Sequence, residues 1–249
     1  MTDPAILGVR VSSLDAEGLI DAAVRSASGR LKEVILPVNA HFLNLASRES
    51  WLREFANREG VHVVADGRGV LLAARLLGCR VPQQIRFAEW AHCLFGAAEK
   101  EGLSLFFLGA EGERVRRAGE VVQRERPAIR IVGVHHGYFE FPGQANEEVV
   151  HSINESRPDI LLLGMSMPVE ERWVRENRER LDVGVIVLGA GCFEWLSGRT
   201  SVAPRWLSAL HVEWLYRLIQ EPRRLWKRYL IGNPQFLISV LKERIHRVA

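Results

Sequence analysis

Chemistry-bearing side chains in this chain gather where apolar, β-branched runs give way to turns. Asn39 follows Val34–Val38 in PVNAHFLNLA. Asp66 ends Val61–Ala65 in VHVVADGRGVLLAARLLG, and Gly67 and Gly69 open the segment behind it. A third run leads into FLGAEG (Phe107–Gly112), and a fourth into His135-His136-Gly137-Tyr138-Phe139. Asp66 has the widest chemical range of these. Its carboxylate can cap the following helix by accepting a backbone N–H. As a general base, it can also take a proton from a hydroxyl that attacks a bound substrate. An aspartate of ordinary pKa, about 4, does not deprotonate an alcohol beforehand, so it would act only as bond formation acidifies the proton. The two roles are compatible.

FLGAEGERVRRA places glycines between a strand and a helix start, which lets a phosphate approach backbone N–H groups and the positive end of a helix dipole. It matches neither GxGxxG nor the Lys-Ser/Thr ending of a P-loop, so dinucleotide binding and ATP hydrolysis lose support. His135 and His136 would point to opposite faces of a strand, a poor arrangement for one metal ion; a core or nucleotide-contacting role fits that geometry better. None of the six Asp residues has another Asp two positions away. An Asp-x-Asp pair for holding a divalent cation is missing, and chemistry without a metal or cofactor is the expectation.

A sheet must position these groups. The runs Val34–Val38, Val61–Ala65, Ser104–Leu108, Arg130–Val134, Asp159–Leu163 and Val183–Leu188 are mostly apolar at both alternating positions. Strands that bury both faces belong to parallel sheets covered by helices, and helical patterns around 14–27, 68–77, 112–125, 145–155 and 168–180 supply the cover. The pattern predicts an α/β, Rossmann-like parallel sheet flanked by helices, with right-handed crossovers. Such sheets bind ligands at the carboxyl ends of their strands, where Asn39 and Asp66 stand.

The chain has 249 residues, 47% of them hydrophobic, enough for a folded core. No apolar run approaches the ~20 residues of a membrane-spanning helix. Asp3, Asp15 and Glu17 near the start oppose an export signal, and Cys79, Cys93 and Cys192 without a CxxC fit a reducing cytoplasm. Charge is unevenly spread: residues 203–249 carry a net +6 and the rest −3. That tail also holds three of the seven Trp and two of the three Tyr. Cations interleaved with bulky apolar side chains suit an anionic lipid surface better than a nucleic acid. The composition shift near Ala203–Pro204 divides the chain into 1–203 and 204–249. In the tail, a helix from about Arg205 to Ile219 aligns Trp206, Leu210, Trp214 and Leu218, and Glu221-Pro222 interrupts it. At about 100° per residue, Arg223, Arg224, Lys227 and Arg228 fall on one side of the next segment and Leu225, Trp226, Tyr229 and Leu230 on the other. Such a helix either packs on its own domain with a solvated basic face or lies on a membrane.

NAHFLNLA, VADGRGVLLAARLLG, FFLGAEGERVRRAGEVV, IVGVHHGYF, RPDILLLGMSMPVEERWV, GAGCFEWLSGRTSVAPRW and VEWLYRLIQEPRRLWKRY occur in one order. Together they resemble the WecG/TagA/CpsF bacterial glycosyltransferases of family 26 over nearly the whole chain. The resemblance implies a GT-E-type catalytic domain over 1–203 and a C-terminal amphipathic helical appendage over 204–249 that targets a membrane. It implies an inverting, metal-independent enzyme of bacterial cell-surface polysaccharide synthesis. A sugar of the N-acetylmannosamine, mannosaminuronic acid or glucose type would pass from a UDP-sugar to a polyprenyl-diphosphate-linked sugar. Such an enzyme would be cytoplasmic, peripheral on the inner face of the membrane and able to form homo-oligomers, with no nucleic-acid partner. By the same resemblance Asp66 is the base, and Asn39 lies in the sugar pocket. Tyr138 and Glu194 line the nucleotide site, with Gly109, His136, Gly164 and Glu170 beside the donor. Arg86, Arg217, Arg223, Arg224, Lys227 and Arg228 reach the acceptor's diphosphate or the membrane.

Several positions depart from the family's usual pattern. Pro37 replaces a Thr, Gln84 an Arg for which Arg86 could substitute, Glu170 the Gln of PxQE, Glu194 an Asp, and Val202 the Arg of RAP. A lost Arg removes fixed positive charge from a departing diphosphate. The alternative is a nucleotide-binding adaptor docking at the membrane in a glycan-assembly complex.

Overall fold

The structure, a computed structural model, describes residues 3–201, Leu207 and residues 213–248. A short hairpin of β1 (Ala5–Ile6) and β2 (Val9–Arg10) precedes α1 (Ala16–Gly29). Then come β3 (Glu33–Val38), α2 (Ala40–Arg48), α3 (Ser50–Ala56), β4 (Val61–Ala65), α4 (Arg68–Leu76) and α5 (Phe87–Glu101). They are followed by β5 (Ser104–Gly109), α6 (Gly112–Glu125), β6 (Arg130–His135), α7 (Gln144–Ser156), β7 (Ile160–Gly164), α8 (Val169–Asn177), β8 (Val185–Leu188) and α9 (Cys192–Leu196). Beyond these lie α10 (Glu213–Gln220), α11 (Pro222–Trp226), a π-helical turn (Lys227–Ile231) and α12 (Gly232–Val248). Strands β3 to β8 form one parallel sheet of order β4-β3-β8-β7-β5-β6.

The apolar runs explain both faces of the sheet. Val34, Leu36, Val38, Leu161, Leu163, Ile186 and Leu188 pack on one side with residues of α2, α4, α7 and α8. Their alternates Ile35, Val64, Leu105, Phe107, Leu162 and Val187 pack on the other with residues of α1, α5 and α6. Alternation of Cβ direction therefore builds two apolar layers from one continuous run.

Pro37 sits inside this sheet, where a missing N–H ordinarily costs a ladder bond. Val38 carbonyl accepts the Asp66 N–H at 2.8 Å on the β4 side, so by alternation Pro37 faces β8. Pairing of β3 with β8 stops at Ile35↔Val187. The departure from Thr is thus accommodated where the two strands have already diverged.

The division near Ala203–Pro204, and with it Trp206, Leu210 and Val202, lies outside the described residues. Packing continues beyond it. Phe236 and Val240 of α12 belong to the same buried cluster as Phe42 and Ala73, and Leu225 is 4% exposed. Polar contacts fasten α12 to α2: Asn44 Nδ2 donates to the Gly232 carbonyl at 2.7 Å, and Arg48 Nη2 to Gln235 Oε1 at 2.8 Å. At its far end Glu243 Oε2 accepts the Leu7 N–H at 2.8 Å.

Candidate active site

A cavity of about 690 Å³ opens at the carboxyl ends of β3, β4, β7 and β8, roofed by the C-terminal helices. Asn39, Asp66, Arg86, Glu170, Glu194, Arg217, Arg224, Lys227 and Arg228 line it; Gly109, His136, Tyr138, Gly164 and Arg223 are not among its described lining residues.

Asn39 is the N-cap of α2, and its Oδ1 accepts the N–H groups of His41 at 3.0 Å and Phe42 at 3.2 Å. Its side-chain oxygen is thereby used in the fold, and Asn39 also lines the cavity. Asp66 lies one residue before the N-cap of α4, which is Gly67 at φ 121°, a conformation L side chains rarely adopt. The sharp turn there carries the chain from β4 into α4 and leaves the Asp66 side chain at the cavity wall.

The basic face of the tail borders the cavity, with Arg228 partly buried and Arg224 and Lys227 exposed at its rim. Sequence arithmetic sets its four cations toward solvent or a lipid surface, yet Arg224, Lys227 and Arg228 line the cavity, while Trp226 and Leu230 are 43% and 56% exposed. The π turn adds a residue per turn, so a constant 100° step fails beyond Trp226. Burial holds the Arg228 pKa below the ordinary arginine value; Arg217 and Arg224 push the same way, whereas Tyr229 and Asp66 oppose. Arg217, Arg224 and the Asp66 carboxylate are therefore each within electrostatic reach of Arg228.

Other expectations meet corrections. Residues 109–112 are not among the described residues that line the cavity. Ala110 N–H donates to the Gly164 carbonyl at 3.0 Å, and Gly137 N–H to the Ala110 carbonyl at 2.9 Å. A Cβ on Gly109 would stand 2.4 Å from the Gly164 oxygen, and one on Gly137 2.9 Å from Gly109 Cα. These glycines bring three loop backbones into contact with each other. His135 and His136 do not oppose one another across a strand: β6 ends at His135, and the rings lie with centroids 4.5 Å apart. Tyr138 is 71% exposed.

Glu170 is a brace rather than an open ligand group. Its Oε2 accepts the Met165 N–H at 3.0 Å and its Oε1 the Ala190 N–H at 2.9 Å, tying the loops after β7 and β8 together at the cavity rim. Burial raises its pKa to about 7, against the lowering effect of those backbone donors. Next to it Glu171 is fully buried with both oxygens unpartnered among the described residues, and burial, then the charge of Glu170, pushes its pKa well up. A carboxyl group raised in the fold supports stability below its unfolded pKa and loses that support as pH rises through the folded value. Glu171→Met is accordingly expected to raise thermal stability at pH 7 by an amount on the order of 1–3 kcal/mol, less at pH 4.5. Calorimetry at the two pH values checks this, and equal or lower stability at pH 7 contradicts it.

Glu194 faces the cavity between two arginines, with Arg114 Nη1 2.7 Å from Oε1 and Arg199 Nη1 3.6 Å from Oε2. Gln84, at the position of the family's Arg, and Arg86, the candidate to substitute for it, both line the cavity, Arg86 paired to Glu89. Sequence reading passed over His41, which lines the cavity beside Arg228. The available signal was Asn39 as an N-cap, followed by apolar Phe42, Leu43 and Ala46; it makes 40–48 a helix and directs its first turn at the strand ends. Burial, then Arg228, lowers the His41 pKa to about 4. Its neutral form is favoured in the fold, so stability falls as pH drops from 6.5 toward 4. Arg228→Gln is expected to move the His41 titration upward, as an NMR pH titration would record; an unchanged midpoint contradicts their proximity.

The sequence is similar to known proteins along nearly its whole length. The sequence model of the Glycosyl transferase WecG/TagA/CpsF family matches residues 4–249. The chain belongs to this family. It is 30% identical over 181 residues to the N-acetylglucosaminyldiphosphoundecaprenol N-acetyl-beta-D-mannosaminyltransferase of Bacillus subtilis (strain 168), covering 73% of this chain and 68% of the relative. The similarly named enzyme of Staphylococcus aureus (strain MW2) is 28% identical over 210 residues, 84% of this chain and 80% of the relative. This WecG/TagA/CpsF member is therefore a glycosyltransferase, and the cavity on its sheet edge is where its chemistry is sought.

Proposed function

We propose that the enzyme transfers an N-acetylmannosamine-type sugar from a UDP-sugar to a polyprenyl-diphosphate-linked N-acetylglucosamine, inverting the anomeric centre without a metal ion. The observation that carries this reading is the presence of Asp66 and the Arg217, Arg224 and Arg228 cluster on the walls of one cavity. The acceptor hydroxyl attacks the anomeric carbon, and Asp66 takes its proton as the new bond forms. The sugar–phosphate bond breaks, UDP leaves, and the guanidinium groups meet the charge growing on the departing oxygen. Fixed cations replace the charge-neutralising part of a divalent ion, in keeping with the missing Asp-x-Asp pair.

The acceptor lies in a membrane, and the outer surface of the roof suits that setting. Trp226, Leu230, Ile238, Leu241 and Ile245 are exposed there, with the exposed cation Arg223 on the same segment. No helix among the described residues is long and apolar enough to cross a membrane. We place the enzyme peripherally on the inner face, its cavity mouth beside the headgroups. The test is incubation of the full chain with UDP-N-acetylmannosamine and a short-chain polyprenyl-diphosphate N-acetylglucosamine, with EDTA present. A product heavier by one N-acetylhexosamine, with release of UDP, supports the reading; no product across a panel of UDP-sugars overturns it.

A further inference from the structure

His41 has no part in the steps above, yet it lines the same cavity as Asp66. It occupies the first turn of α2, with its backbone N–H held by Asn39 Oδ1 at 3.0 Å, so the direction of its side chain is set by the cap. Its ring lines the cavity with Asn39, Asp66 and Arg228. Among the described residues the imidazole nitrogens have no hydrogen-bond partner. Burial and the neighbouring guanidinium keep the ring uncharged at neutral pH. A neutral imidazole offers one N–H donor and one lone-pair acceptor. Arginines serve phosphate and Asp66 serves the proton; a ring that both gives and accepts one hydrogen bond is suited to the hydroxyl or amide groups of a sugar.

We infer that His41 is a sugar-contacting, specificity-determining residue, hydrogen-bonded to a polar substituent of the transferred sugar beside Asp66. The inference rests on the nucleotide-sugar reading of the cavity. It separates the sugar from the nucleotide: His41 would recognise UDP-N-acetylmannosamine and be indifferent to UDP.

Calorimetric titration of the full chain with each ligand tests it. For His41→Ala, affinity for UDP-N-acetylmannosamine is expected to fall about tenfold, the loss of one buried hydrogen bond. Affinity for UDP should stay at the wild-type value, which also shows the variant folded. His41→Gln, which keeps a donor and an acceptor, is expected to recover most of the loss. In transfer assays the same variants should raise KM for the donor with little change in kcat. Unchanged donor affinity in His41→Ala, or equal weakening of UDP and the UDP-sugar, overturns the assignment while leaving the nucleotide-sugar reading intact. Failure of the wild-type chain to bind either ligand removes both.

Discussion

Asp66→Asn is expected to lower transfer by roughly 10²- to 10⁴-fold, the range for losing a positioned acid or base. The substitution isolates proton transfer from structure. The cap of α4 is Gly67 and takes no side-chain hydrogen bond, so the helix start does not depend on the Asp66 carboxylate, and Asn matches Asp in size. Only the ability to collect a proton is lost. The charge change also predicts a sign for binding. Asp66 opposes the positive field around Arg228, so removing it leaves the arginine cluster at least as attractive to a diphosphate. UDP affinity should hold or tighten while turnover collapses. Measuring kcat by UDP release, and UDP affinity by titration, separates the two effects. Turnover within a few fold of wild type would reduce Asp66 to a structural residue and leave the cavity without its base.

The second large effect concerns stability. Phe236 is 1% exposed in the cluster that holds Phe42 and Leu43, and its ring edge approaches Gly69 of α4. Phe236→Ala removes a ring from a packed interior, which costs about 3–5 kcal/mol in transfer and cavity terms. In a chain of this size Tm should drop by roughly 10 °C. Transfer should fall as well, because α12 anchors the π turn that presents Lys227 and Arg228 to the cavity. Scanning calorimetry of the full chain decides the point. A Tm unchanged within 2–3 °C, about one kcal/mol by the same scale, would mean that α12 is not seated on α2 and α4. The basic tail would then be a separable attachment.

Much of the layout was legible in the residues. Val34–Val38, Val61–Ala65 and Ser104–Leu108 announce buried parallel strands because both alternating positions are apolar, and each lies within an observed strand. Helix α5 also carries its period plainly in Phe87, Trp90, Ala91, Leu94, Phe95 and Ala98, although the sequence reading left it aside. The placement of Asn39 and Asp66 at strand ends needed only the rule that such sheets bind ligands there. Other features had no local signature. Glu170 looks like a ligand group in PVEERW, but whether its oxygens face a substrate or two backbone amides depends on the loops of Met165 and Ala190, distant in sequence, meeting in space.

By itself, the amino-acid sequence determined the class of fold, the strand ends where chemistry could occur and a tail rich in cations and aromatics, because periodicity and composition are local quantities. Only the tertiary structure decided which way that tail faces. Burial of Phe236 and Val240 against the sheet's helices, together with a π turn that breaks the 100° step from Lys227 onward, brings the tail's cations to the cavity that Asp66 lines, with Arg228 in electrostatic reach of that carboxylate. That orientation follows from long-range packing, and no window of neighbouring residues encodes it.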